Sequence, residues 1–137
     1  MANVTQRQKL EQGRADFAFK RATSGYNSHR KEYTAAVKKL PMMIKSNGLG
    51  ATIAFMYSKG KTLGTVLGHI DEWLNDKENR KTLFILEKTE GRNLVQKVLN
   101  LDSQEYRIVT IEVLAFLNWL RRFSEGITKE NEPKSNS

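Results

Sequence analysis

The segment Tyr106–Gly126, YRIVTIEVLAFLNWLRRFSEG, decides the fold class of this chain. Tyr106, Val109, Val113, Phe116, Leu117, Leu120 and Phe123 recur at spacings of three and four, which stacks them on one face of a helix. Ile108, Ile111, Ala115 and Trp119 cover much of the remaining circumference. A helix apolar on nearly every side either spans a membrane or forms the centre of an all-helical domain. Arg107, Glu112, Asn118, Arg121 and Arg122 interrupt it too often for a span, which needs about 20 predominantly apolar residues. The segment therefore reads as the core helix of an all-α protein, with paired arginines near its end. Those cations either complement the negative end of the helix dipole or serve a ligand.

Working outward, the rest of the chain also reads as helices, about six to seven in a compact single-domain bundle over residues 1–127. Asp102 and Glu105 have the spacing of a capping box that starts the long helix. Thr5 opens an amphipathic run that Ser24-Gly25 should end, and Asn27 or Ser28 should open the next. Pro41 predicts a kink or short break in that second run, which stops at Asn47-Gly48. Leu49–Ser58, Lys61–Leu74, Asn79–Glu87 and Gly91–Leu99 follow as helices, with Gly60 separating the first two. Residues 128–137, TKENEPKSNS, are polar without periodicity and read as a disordered tail. There is no internal repeat and no connection long enough to suggest a second domain.

The 137 residues include no cysteine, so thiol catalysis, disulfides and cysteine-ligated metal are excluded, in keeping with a reducing compartment. The opening MANVTQRQKLEQGR lacks the apolar stretch of a signal peptide, and a cytoplasmic location is expected. The net charge of +8 is uneven along the chain. Residues 1–61 carry twelve Lys/Arg against three Asp/Glu, whereas residues 62–105 are net −2. That asymmetry suits a polyanion-binding face, although a merely solvated basic surface would show it too.

Nothing points to catalysis, a cofactor or a small-molecule substrate. Gly60-Lys61-Thr62 ends like a phosphate-binding loop, but the motif's first glycine position is Phe55 and the preceding segment is helical. Asn47-Gly48-Leu49-Gly50 is explained by one helix ending and another starting. His69, Asp71, Glu72 and Asp76 could be imagined around a metal, yet consecutive helix positions point apart and no second histidine has ligand spacing, so an exposed polar face is expected there. Glu87 and Glu90 lie in a mixed-charge surface with no apolar pocket to raise a pKa.

The basic residues form the better constellation. On a helix through residues 37–44, Lys38 and Lys45 share one face and Lys39 sits about 100° round from Lys38. Compact ammonium groups suit phosphate contacts that do not read bases. Lys38, Lys39 and Lys45 are the first candidates for phosphate contact, then Arg121 and Arg122, then Lys59 and Lys61. Tyr26, Tyr33 and Tyr57 could stack on bases or fill the core.

Three segments, QRQKLEQGRADFAFKRA (6–22), YTAAVKKLPMMIKSNGLGATIAFMYSKG (33–60) and EYRIVTIEVLAFLNWLRRFSEG (105–126), together resemble the small, fifth subunit of the Cmr complex, the type III-B CRISPR effector. They cover about half of the chain; residues 62–104 and the tail add nothing to the likeness. The resemblance implies an all-α, non-catalytic protein stacked head-to-tail along an effector filament beside guide and target RNA. Its partners would be the backbone and large Cmr subunits, the crRNA and single-stranded target RNA, with no membrane involved. The matching polar positions are Lys38, Lys39, Asn47, Asn118, Arg121 and Arg122, while Pro41, Gly48 and Trp119 match as structural positions. The rivals are an assembly spacer that contacts only protein and a free-standing helical nucleic-acid-binding regulator. Leu49–Ser58 is too apolar to be the recognition helix of a helix-turn-helix reader.

Overall fold

A computed structural model describes residues 2–133, and within them every regular element is an α-helix. They are α1 (Ala2–His29), α2 (Lys31–Asn47), α3 (Leu49–Lys59), α4 (Lys61–Leu74), α5 (Arg80–Lys88), α6 (Leu94–Leu99) and α7 (Ser103–Asn131). Single residues join the first four. Gly48 and Gly60 have φ of 92° and 64°, a region glycine enters without a Cβ penalty, and each leaves its helix by donating its N–H to a carbonyl four residues back. At the start of α7, Asp102 accepts from the Glu105 N–H and Glu105 accepts from the Asp102 N–H, the expected reciprocal cap.

The core helix is α7. Its Val109, Val113, Phe116, Leu117 and Leu120 are fully buried, and the other helices wrap around them. Pairings of Arg14 with Glu112 and Phe19 with Phe123 run α1 parallel to α7. Bonds from Thr34 near the start of α2 to the Ser124 carbonyl and to Thr128, and from the Gly50 N–H just past its end to the Tyr106 hydroxyl, run α2 antiparallel to it. Phe17, Trp73 and Phe116 pack ring against ring where α1, α4 and α7 meet. Beside them the nearly buried Glu112 accepts two bonds from Arg14 (2.7 and 2.8 Å) and one from the Trp73 indole (2.8 Å). This pairing keeps the guanidinium charged, against the penalty of burial.

Several boundaries differ from the sequence expectation. The first helix does not end at Ser24-Gly25 but continues to His29. Gly25 is there because the Tyr33 ring presses on it, so that a Cβ would lie 2.3 Å from the nearest ring carbon. The chain turns instead at Arg30, whose φ of 56° is rare for a residue with a side chain. Pro41 does not break α2. Val37, Leu40 and Ile44, on the same face and buried, hold the helix together around the missing N–H. α7 runs on through Thr128 to Asn131, anchored by Thr34 and by the Tyr26 hydroxyl, which donates to Glu132. Of the expected tail, residues 134–137 lie outside the described residues.

Candidate nucleic-acid interface

The buried stripe of α2 turns its opposite face outward, leaving Lys31, Lys38, Lys39, Met42 and Lys45 exposed. Because α2 and α7 are antiparallel with Thr34 beside Ser124, Lys38 arrives next to the last third of α7. There its ammonium lies 3.9 Å from Glu125, and the Arg121 guanidinium lies 3.8 Å from the same carboxylate oxygen. Two of the expected cations, 83 positions apart in sequence, thus meet around one acid. Both separations are too long for hydrogen bonds, and such solvent-facing pairs contribute about 0–1 kcal/mol. A phosphate oxygen arriving here would displace a weak partner. Arg122 and Asn118 are exposed on adjoining positions of α7, and Lys39 and Lys45 are exposed without an ion pair among the described residues.

The dipole explanation for Arg121 and Arg122 does not hold. The helix continues for nine residues beyond Arg122, and the field of a helix end fades within its last turn. Lys59 and Lys61 stand elsewhere, at the α3–α4 junction; the Lys59 ammonium lies 5.7 Å from the centre of the Phe55 ring, and Lys61 has a φ of 50°. His29 bonds Thr62 and Thr65 of α4, which sets that junction against the α1–α2 turn. Lys59 and Lys61 therefore share an end of the bundle with exposed Arg30 and Lys31. Sequence reasoning missed those two, although the Lys31–Lys38–Lys45 spacing of seven was a signal for one of them.

Of the three candidate tyrosines, Tyr26 and Tyr33 are buried and Tyr57 is 62% exposed, so among these Tyr57 offers a ring to a ligand. The expected exposed polar face around His69 is also corrected. His69 is buried, and its Nδ1 lies 2.7 Å from the Tyr33 hydroxyl. Burial lowers its pKa from 6.5 to about 4 and raises that of Tyr33, so the pair meets as a neutral hydroxyl and a neutral imidazole. Glu72 pairs with Arg21 and Asp71 accepts from Asn75, so these side chains diverge. Among the described residues there is no group of three or more His, Cys, Asp or Glu placed to hold a metal ion, and no helix long and apolar enough to cross a membrane.

An all-α bundle with loosely paired cations where its second and last helices cross is a small basic helical module, suited to assembly with a polyanion or with other chains. Comparison with known proteins narrows this class. The family model described as CRISPR-associated protein (Cas_Cmr5) matches residues 10–127, and the chain belongs to that Cmr5 family, the small subunit of the Cmr CRISPR system. The CRISPR system Cmr subunit Cmr5 of Thermus thermophilus is 30% identical over 101 residues, covering 74% of this chain and 79% of that protein. A crystal structure of a CRISPR-associated Cmr5 family protein from the same organism superposes with a TM-score of 0.68 at 24% identity. It covers 85% of this chain and 95% of the other, which supports the helical architecture described above.

Proposed function

We propose that this Cmr5-family subunit is a non-catalytic, cytoplasmic component of a type III-B effector that grips the backbone of single-stranded target RNA beside the crRNA, without reading its bases. The convergence of Lys38 and Arg121 on Glu125 carries this function, with Lys39, Lys45 and Arg122 extending the charge along the same two helices. Guide pairing supplies the sequence choice in an RNA-guided complex, so the protein needs only charge and shape. Head-to-tail repetition along a filament would turn weak contacts per subunit into useful avidity.

The test is a titration of unstructured single-stranded RNA across a range of salt concentrations. The logarithm of affinity should fall with the logarithm of salt at about 0.7 per phosphate neutralised. Lys38→Glu/Lys39→Glu should weaken binding and flatten the slope, while Glu125→Gln, which frees Lys38 and Arg121, should tighten it. An affinity indifferent to salt, or unchanged in the double variant, sinks the proposal. Among the described residues six large apolar side chains are at least half exposed, including Met42 on the α2 face, Ile111 and Leu99, which favours a second reading as an assembly spacer. In that case the isolated protein ignores RNA yet still joins the other Cmr subunits.

A further inference from the structure

A second group of cations gathers at the far end of the bundle. Gln6 and Lys9 of α1 face Lys77 and Asn79 of the α4–α5 connection, and Arg80 and Lys81 of α5, across a cleft of about 750 Å³. The four cations are exposed and make no ion pair among the described residues. Their platform is tied to the core. Asn79 is 2% exposed and donates to the Trp73 carbonyl, while the Thr82 hydroxyl donates to the Leu74 carbonyl. Glu78 also lines the cleft, but its carboxylate reaches toward α1, where a Cβ on Gly13 would lie 3.0 Å from its Oε1. Arg80 and Lys81 occupy the first turn of α5, which contains no acid of its own, so their charges oppose the helix dipole until an anion arrives.

We infer that this cleft is a second phosphate-backbone site, which holds the same single-stranded RNA at a point remote from the Lys38–Arg121 pair. It rests on the RNA-binding role proposed above and extends it. Arg14, one turn beyond Leu10, is level with Glu112, whereas Lys38 is level with Glu125. Thirteen residues of α7 at 1.5 Å each separate those levels by roughly 20 Å. Two anchors that far apart fix the direction of a strand across the subunit, which a single charged patch cannot do. The cleft presents the Lys9, Lys77 and Lys81 ammonium groups, the Arg80 guanidinium and the Gln6 carboxamide, and no aromatic ring lines it, which suits phosphate contacts rather than base stacking.

The test compares the intact protein with Arg80→Glu/Lys81→Glu and with Lys38→Glu/Lys39→Glu by RNA titration over a salt series. Acids in the first turn of α5 favour the dipole, so the cleft variant keeps its fold, checked by an unchanged melting curve. Its affinity should fall at least tenfold, and its salt slope should shrink by about 1.4, two contacts at 0.7 each. If the cleft variant binds like the parent while the α2 variant is weakened, the cleft inference is overturned and the α2–α7 function stands. If only the cleft variant is weakened, the cleft stands and the α2–α7 assignment fails. If inorganic tripolyphosphate displaces RNA from the α2 variant at equal phosphate concentration, the cleft holds small anions rather than a strand, and the inference is again overturned.

Discussion

Replacing Gly25 by alanine sets two effects of opposite sign against each other, and the structure decides between them. In the interior of a helix alanine is more favourable than glycine by about 1 kcal/mol, so propensity alone predicts a more stable protein. The new methyl carbon, however, would lie 2.3, 2.4 and 2.5 Å from three carbons of the Tyr33 ring. Carbon atoms rest comfortably at about 3.5–4.0 Å, so the ring or the helix must give by more than about 1 Å. Tyr33 has no exposed surface and its hydroxyl is held by His69, so the ring has nowhere to swing. Overpacking of this kind costs about 1–3 kcal/mol, and an overlap this deep belongs at the upper end. The net expectation is a loss of about 2 kcal/mol, or about 6–10 °C in Tm for a domain of this size. Urea and thermal denaturation of both proteins would measure it. In a Tyr33→Leu background the same substitution should become neutral or stabilising, because the ring is gone. A Gly25→Ala protein as stable as the parent would refute the packing argument.

Two further outcomes follow from the polar groups in the core. Glu112→Ala strands the Arg14 charge and leaves the Trp73 indole without its acceptor, so urea denaturation should reveal a loss of about 3–5 kcal/mol, with Glu112→Gln milder because it can still accept from Trp73. His69 binds a proton in the unfolded chain at its ordinary pKa of 6.5 but in the folded protein only near 4, so its neutral form stabilises the fold above pH 6.5 and that stability is lost as pH falls toward 4. Residual solvation of the ring limits the loss to about 2 kcal/mol. Denaturation midpoints at pH 7 and pH 4 should differ less for His69→Gln than for the parent.

The boundaries the sequence revealed are those set by local chemistry. Gly48 and Gly60 end helices because a left-handed residue is needed there, and Asp102 with Glu105 starts one because their side chains reach each other's backbone. What the sequence concealed was set by contact at a distance. Gly25 looked like a terminator because a notch for an aromatic ring and a helix end both require glycine. Arg30 carries no turn signal, yet the chain turns there at a φ of 56°. The meeting of Lys38 with Arg121 depends on the antiparallel register of α2 and α7, which Thr34 fixes through Ser124 and Thr128. Summed charge misled in its own way. Residues 62–105 are net acidic, yet Lys77, Arg80 and Lys81 line a concave basic surface.

The pairing of α1 with α7 also governs how the chain reaches its folded state. Helical bundles usually fold fast because their contacts are local. Here Arg14 finds Glu112 across 98 positions and Tyr26 finds Glu132 across 106, so the first helix waits for the last. During synthesis at about 5–20 residues per second, α1 spends several seconds without its α7 partner. Closure of the bundle therefore waits for the last part of the chain to be made, despite the small size and simple architecture of the protein.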